Sequence, residues 1–388
     1  DLLSKPELEK IFNFEKKLYH NLKGVNAKME QAKPKLTKKT VILPIIGILA
    51  FFIYIYLFNV DIPSIIKTAQ NAQPLPYAAA ILISFIEILF YAFSWRALLT
   101  GLNVKLSIVK SYMFVWYAMF LDILIPAESI SGEVCRVYLV NREQNGTSGK
   151  VVASLVAFRL LSIVMNIAFL VGGASLLFGV TEIHPLIFSI IQIFVVLTVI
   201  SLILLITLCL KESWSIKIIN GIVRIGEFVS RGKWELQKTR QNACNAAKVF
   251  HSSIKELIHT PQKLVVPAIY LILNWIASMA IPFLVFLSLG INVSWGVILV
   301  TTAIVIAVKS IPAGIPFEVG IPEITMTTLY VLLGVPAEIA ATSTILSRII
   351  TLWLRFGIGF AAHQWIEIRA IMSAKPIKGI AEKNLPEI

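Results

Sequence analysis

The chain has 388 residues, of which 57% are hydrophobic and only 15% are charged, and its mean hydropathy is +0.80. Uncharged apolar runs of roughly 20 residues recur along it, the length that a helix needs to cross a bilayer, which excludes a soluble protein and a β-barrel of short alternating strands. A formal net charge of +13 is typical of cytoplasmic loops rich in Lys and Arg, so no nucleic-acid partner is expected.

Residues 1–40 carry ten lysines and five acidic residues, with apolar residues at a spacing of three and four. This pattern favours a basic amphipathic helix that binds the anionic surface of the membrane, and the alternative is an unstructured tail. No cofactor or metal site is expected, because the three cysteines lie far apart along the sequence without a CxxC or histidine pairing.

Six long apolar segments and two short ones follow, and they predict an all-α polytopic membrane protein. The six predicted spans are Val41–Asn59, Tyr77–Trp95, Val151–Phe178, Leu186–Leu210, Leu264–Leu289 and Ala337–Ala362. The short segments, Ser111–Ile125 and Trp295–Ile311, both run into "IPA" and carry a charge near their end. At about 1.5 Å per residue they do not cover the hydrocarbon layer, so we expect two re-entrant helical hairpins.

The segment from Lys211 to Lys263 holds ten Lys or Arg residues and predicts a long amphipathic helix at the cytoplasmic surface. With re-entrant hairpins, the span count then places both termini in the cytoplasm of a multi-pass protein of the cell membrane. The predicted units are the basic segment 1–40, a first membrane repeat 41–185, a second repeat 186–365 that includes 211–263, and a tail 366–388.

Short strings recur in the same order in the two halves. "GLNV" at Gly101 returns as "GINV" at Gly290, an offset of 189 residues, and "IPA" returns 186 residues after Ile125. The first connecting region, 96–150, holds six Lys or Arg residues, whereas its counterpart, 290–342, holds one. The positive-inside rule therefore predicts repeats of opposite orientation, an arrangement that places substrates of secondary transporters between the repeats.

Five charged residues lie inside apolar runs, where a charge at the helix centre costs about 2.5–3.5 kcal/mol. They are Glu87, Arg159, Lys309, Arg348 and Arg355. One interpretation is that each arginine pairs with a carboxylate and holds the bundle together. The other is that the guanidinium groups bind a lipid phosphate, whose oxygens match their planar donors. The two interpretations are compatible, because a carboxylate can pair with the arginine until a lipid phosphate displaces it. For Arg355, we expect the side chain to extend to the membrane interface.

Helix breakers and carboxylates combine at both predicted hairpin tips. Because proline and glycine leave backbone groups unpaired, such a tip must face protein or a water-filled cavity, and it predicts a gate or a binding surface as well as a simple turn. The residues of the first tip are Pro126, Gly132, Glu133 and Arg136, and those of the second are Pro312, Gly314, Gly320 and Glu323.

Together these motifs resemble the lysylphosphatidylglycerol synthase/flippase transmembrane family over residues 41–365. The match consists of a GExxR after a proline, the pair Ser154 and Arg159, then a PxG, a GxxE, "LLGV" and the pair Ser343 and Arg348. The resemblance implies a flippase-type fold that moves a lipid with a charged headgroup between leaflets. No soluble aminoacyltransferase domain is recognisable, so synthesis of a lysyl-lipid is not expected.

The preferred hypothesis is a lipid translocator rather than an enzyme. A phospholipid or a polyprenyl-phosphate glycolipid would meet Arg159 and Arg348 between the repeats, with Glu133 and Glu323 as their partners in the empty state. The alternatives are an intramembrane glycosyltransferase or phosphatase and a scaffold without transport, and a homodimer is left open. Membrane lipids are the expected partners, whereas the scaffold would recruit other partners through the basic segments 1–40 and 211–263.

Overall fold

A computed structural model describes residues 62–125, 130–178, 185–229, 237–310 and 320–373. Every regular element within these ranges is a helix, which confirms the predicted all-α fold. Several predictions concern residues outside these ranges. They are the basic segment 1–40, the span Val41–Asn59, most of the tail 366–388, and Pro126, Pro312 and Gly314.

The first half of the described chain contains six helices. They are α1 (Ile62–Gln70), α2 (Pro74–Gly101), α3 (Ile108–Leu124), α4 (Ile130–Glu143), α5 (Ser148–Phe178) and α6 (Pro185–Leu210). The second half continues with seven more and one π-helical segment. They are α7 (Glu212–Val229), α8 (Gln237–His259), α9 (Gln262–Ser288), α10 (Trp295–Lys309), α11 (Ile321–Leu332), α12 (Ala337–Arg348), the π-helix (Ile349–Leu354) and α13 (Arg355–Ser373).

Five helical segments of the described residues are long and apolar enough to cross a membrane. They are α2, α5, α6, α9 and the continuous segment Ala337–Arg369 that runs through α12, the π-helix and α13. Each coincides with one of the six spans expected from the sequence. The protein is therefore a polytopic α-helical membrane protein.

The order long, short, short, long occurs twice, as α2 to α5 and as α9 to α13. Helices α2 and α9 end in the same Schellman motif, in which the residue after the cap has a positive φ. In the first this residue is Asn103, at φ 59°, and in the second it is Gly290, at φ 77°. The short helices α4 and α11 are likewise followed by Gly146 and Gly334, at φ 81° and 90°. A residue with positive φ thus follows the first and the third helix in each series.

The short apolar helix of each half packs against the other half. Helix α3 packs against α13, and α10 packs against α5, so each short apolar helix lies on the long helix that follows the other one. Glycines make both approaches close. A Cβ on Gly359 would lie 2.6 Å from the Trp116 carbonyl oxygen of α3, and one on Gly173 would lie 2.6 Å from the Leu299 Cβ of α10. This crossing brings residues of both halves to the same place.

Helices α2 and α9 make the most extensive helix contact among the described elements. Buried polar groups link them. The Ser94 hydroxyl donates to the Pro267 carbonyl at 2.8 Å, and Asn274 Nδ2 donates to the Glu87 carbonyl at 2.9 Å. Such bonds fix the register of helices within a membrane, where apolar contact alone is weakly specific. The two bonds thus fix α2 and α9 relative to each other.

The region 211–263 differs from the single long helix that its sequence predicts. It contains two helices, α7 and α8, which pack against each other and against the ends of α5 and α6. The buried ring of His251 ties them together, because its Nδ1 lies 2.8 Å from the Cys209 carbonyl oxygen of α6 and its Nε2 lies 3.0 Å from the Ser215 hydroxyl of α7. A carbonyl only accepts, so Nδ1 is the donor in the contact with Cys209.

Candidate functional site

A polar cavity of about 280 Å³ lies where the crossed helices meet. Its lining comes from both halves: α2 to α5 on one side, and α10, α12, the π-helix and α13 on the other. Five of the lining residues are cationic and two are acidic. They are Arg136, Arg159, Lys309, Arg348 and Arg355, with Asp122 and Glu133. Four of the five charges singled out in the apolar runs therefore line one cavity, and the fifth, Glu87, does not.

The innermost ion pair joins Arg348 and Glu323. Arg348 Nε donates to Glu323 Oε1 at 2.5 Å, and the two side chains are only 8% and 5% exposed. Glu323 Oε2 also accepts the backbone N–H of Gly320 at 2.7 Å, at the start of α11. Gly320 adopts a φ of 102°, which a residue with a side chain rarely does. The predicted tip residues Gly320 and Glu323 thus fix one another and the arginine.

The corresponding pair in the first half is more open. Arg159 Nη1 lies 3.3 Å from Glu133 Oε1, and their side chains are 37% and 26% exposed. The two pairs join α5 to α4 and α12 to α11, which are equivalent helices in the recurring order. The structure therefore holds two Arg–Glu pairs of the same kind, a closed pair that is almost fully buried and an accessible pair that is partly exposed.

Arg355 does not extend to the membrane interface, so that expectation is wrong. Its Nη2 pairs with the buried carboxylate of Glu87 on α2, and an ion pair within the bundle stabilises a guanidinium more than partial exposure to lipid does. The Nε of Arg355 is buried without a hydrogen-bond partner among the described residues. The side chain lines the cavity with one donor unused.

Arg136 is held by aromatic side chains that the sequence did not single out. Its Nη1 donates to the Tyr91 hydroxyl at 2.9 Å, and its Nε donates to the Gly132 carbonyl at 3.4 Å. The guanidinium also lies 5.3 Å from the ring centre of Trp95, within the range of a cation–π interaction. Arg136 is thus fixed in orientation while part of it lines the cavity.

Asp122 closes the first hairpin. Its Oδ1 accepts the backbone N–H of Gly132 at 2.6 Å and the Ser131 hydroxyl at 2.7 Å, both at the first turn of α4. A Cβ on Gly132 would lie 2.7 Å from the Ala118 carbonyl oxygen, so only glycine fits between α3 and α4 here. Gly132, predicted to form the hairpin tip, therefore determines how closely its two helices approach.

The remaining predicted residues divide into two groups. Lys309, the last residue of α10, lines the cavity. Ser154 and Ser343 do not, because both are buried between helices. The Ser154 hydroxyl accepts from Trp95 Nε1 at 3.2 Å and donates to the Val151 carbonyl, and the Ser343 hydroxyl donates to the Ala340 carbonyl.

Sequence reasoning omitted Tyr91, Ser162 and Thr351 from the site, although all three line the cavity. Tyrosine, serine and threonine are ordinary residues of membrane helices, so no signal distinguishes them before the helix pairing is known. Within the ranges that the structure describes, no three His, Cys, Asp or Glu side chains are grouped closely enough to hold a metal ion.

Comparison with known proteins gives one family and three archaeal relatives. The relatives are UPF0104 membrane proteins. That of Pyrococcus horikoshii is 26% identical over 319 residues, which cover 81% of this chain and 94% of the relative. That of Methanothermobacter thermautotrophicus is 23% identical, covering 84% and 94%, and that of Methanocaldococcus jannaschii is 24% identical, covering 85% and 95%. No solved structure matches the chain at a significant level.

The family match extends through the part of the chain that carries the cavity. The model of the lysylphosphatidylglycerol synthase transmembrane region matches residues 42–359. This range includes both Arg–Glu pairs, both short apolar helices and the crossing that brings them together. The chain therefore belongs to the lysylphosphatidylglycerol synthase transmembrane region family.

Proposed function

We propose that this protein moves a lipid with a phosphate-bearing headgroup from one leaflet of the cell membrane to the other, without changing the lipid chemically. The observation that carries the proposal is the convergence of five cationic side chains and only two carboxylates on one cavity between the two halves. Four of the five are arginines, whose planar donors match phosphate oxygens. Both termini would lie in the cytoplasm.

The accessible ion pair gives the headgroup a point of entry. A phosphate that reaches Arg159 replaces Glu133 as its partner, and one anion is exchanged for another without leaving the guanidinium unpaired. The released carboxylate of Glu133, together with Asp122, can then bind a cationic group of the lipid headgroup. This exchange avoids the desolvation of a free charge, which is the main barrier to moving a headgroup through the membrane.

The closed pair would bind the phosphate in a second step. Arg348 is bound at 2.5 Å by a carboxylate that also caps α11. Displacing Glu323 therefore loosens the start of that helix. Since α10 is the first leg of the second hairpin and lies on α5, this local change would alter a contact between the halves. We propose that the two hairpins open in alternation in this way.

Reconstitution into liposomes with a leaflet-specific lipid assay tests the function. The double variant Arg159→Ala plus Arg348→Ala should lower the translocation rate at least tenfold, because each lost charge-assisted hydrogen bond to phosphate contributes roughly 1.5–3 kcal/mol. The matched control is Arg142→Ala plus Arg369→Ala. It removes two cations that do not line the cavity, one paired with Glu367 at 3.8 Å and one stacked on a tryptophan.

A second variant separates loss of transport from loss of folding. In Glu323→Gln plus Arg348→Gln, the glutamine at 323 can still accept the Gly320 N–H, so the fold should persist while transport falls. Equal lipid movement by the wild-type chain and both cavity variants would refute the proposal. Recovery of chemically altered lipid would show an enzyme instead.

A further inference from the structure

A second candidate site lies on α7 and α8, whose lining residues are distinct from those of the central cavity. Three large apolar side chains of α7 are exposed at a spacing of four residues and so share one face of the helix. Trp214 is 43% exposed, Ile218 is 49% exposed and Ile222 is 64% exposed. Lys211 Nζ lies 5.1 Å from the ring centre of Trp214. Since α7 starts directly after the candidate span of α6, we expect this face at the membrane boundary.

An apolar groove of about 420 Å³ adjoins that face. It is enclosed by the first turns of α5, the last turns of α6, and α7 and α8. Its lining is almost entirely aliphatic and aromatic, and Ile218 belongs both to the lining and to the exposed face. The hydroxyl of Ser215, one of its few polar atoms, is bonded to His251. The groove therefore opens beside the exposed face and suits a hydrocarbon chain.

A cationic recess of about 430 Å³ lies on the same two helices. Its charged lining residues are Lys217, Arg224 and Arg240, and none of the described residues that line it is acidic. Arg240 Nε donates to Asn220 Oδ1 at 2.8 Å, which fixes the guanidinium across the two helices. Lys217 is next to Ile218 in the sequence, so the recess and the groove are separated by at most the width of α7, about 10–12 Å.

We propose that α7 and α8 form a binding site for one anionic phospholipid, with its phosphate in the cationic recess and an acyl chain in the apolar groove. The combination of a cationic recess and an apolar groove favours a phospholipid over other ligands. A free anion would not need the groove, and a peptide or a nucleic acid would not need a groove built from the ends of two candidate spans. The proposal is independent of transport, because none of these residues lines the central cavity.

Native mass spectrometry of the full chain with added dioleoyl phosphatidylglycerol or phosphatidylcholine tests the site. The wild-type chain should retain one more phosphatidylglycerol than phosphatidylcholine. Replacing the three cations of the recess by glutamine should weaken the binding of phosphatidylglycerol roughly a hundredfold, since each charge contributes about fivefold. The control replaces by glutamine three exposed lysines that line neither the cationic recess nor the apolar groove. These are Lys105, Lys248 and Lys255.

Two competitors identify which part of the lipid binds. Inorganic phosphate and dihexanoyl phosphatidylglycerol should both displace the long-chain lipid poorly, because neither fills the groove. The proposal is overturned if the wild-type chain retains the two phospholipids equally, or if the recess variant keeps its preference for phosphatidylglycerol. Displacement by inorganic phosphate at the same concentration as the long-chain lipid would also overturn it, since the site would then take a free anion.

Discussion

The two Arg–Glu pairs allow the same substitution to be made in two environments. Arg348→Met removes the partner of Glu323, whose side chain is 5% exposed, and Arg159→Met removes the partner of Glu133, whose side chain is 26% exposed. Methionine keeps most of the apolar contact of the arginine stem. The comparison therefore isolates the effect of losing the charge.

The expected losses of stability differ severalfold. Breaking a buried pair leaves an uncompensated charge and lowers the free energy of unfolding by about 3–5 kcal/mol. A partly exposed pair contributes about 0–1 kcal/mol, because water in the cavity solvates the remaining carboxylate. Arg348→Met should thus unfold far more readily than Arg159→Met. Adding Glu323→Gln to Arg348→Met should recover most of the loss, because the uncompensated charge is removed and the Gly320 N–H keeps an acceptor.

Tryptophan fluorescence during titration with sodium dodecyl sulfate in mixed micelles measures these differences. The midpoints should fall in the order wild type, Arg159→Met and Arg348→Met, with the double variant well above the last. Equal midpoints for the two single variants would refute the reasoning, since the burial of Glu323 would then have no energetic consequence. A double variant as unstable as Arg348→Met would show that the loss comes from packing.

Two further predictions concern the scaffold. Gly173→Ala should lower stability by about 1–3 kcal/mol, because its Cβ would lie 2.6 Å from the Leu299 Cβ, whereas Gly172→Ala meets open space and should be neutral or stabilising in thermal unfolding. A similar loss in both variants would contradict this view of the α5–α10 contact. His251→Ala should cost about 1–3 kcal/mol and speed hydrogen exchange in α7, because the buried Cys209 carbonyl loses its donor. His259→Ala, at an exposed histidine, is the control. Equal hydrogen exchange in α7 of the two variants would argue against a stabilising contact of His251 with α6 and α7.

The membrane fold was predictable because hydropathy over about 20 residues is a strong signal. All five candidate spans of the described residues coincide with expected ones. The region 211–263 was misjudged, because its apolar spacing fits one helix as well as two that pack together. Periodicity fixes the face of a helix and does not show where the chain turns.

The charged residues of the cavity were identifiable for a similar reason, since a charge inside an apolar run is costly and needs an explanation. Which of these charges pair with each other could not be identified from the sequence. Glu87 and Arg355 are 268 residues apart, and only the packing of α2 against the last helices brings them together. Tyr91 could not be identified because its role depends on Arg136, which lies on another helix. The serines matched the family pattern, yet they are buried between helices.

The recurring turns after α2, α4, α9 and α11 also have a consequence for comparing the halves or their relatives. Asn103 and Gly146 are 43 residues apart, and Gly290 and Gly334 are 44 apart. The composition of the two stretches differs markedly, since one has "IPAESISGEVCRV" where the other has "IPAGIPFEVGIPE". Chain length between the turns is therefore shared more closely than residue identity. In an alignment, the two stretches need a net gap of only one residue, and the left-handed turn residues are better anchors than the apolar strings.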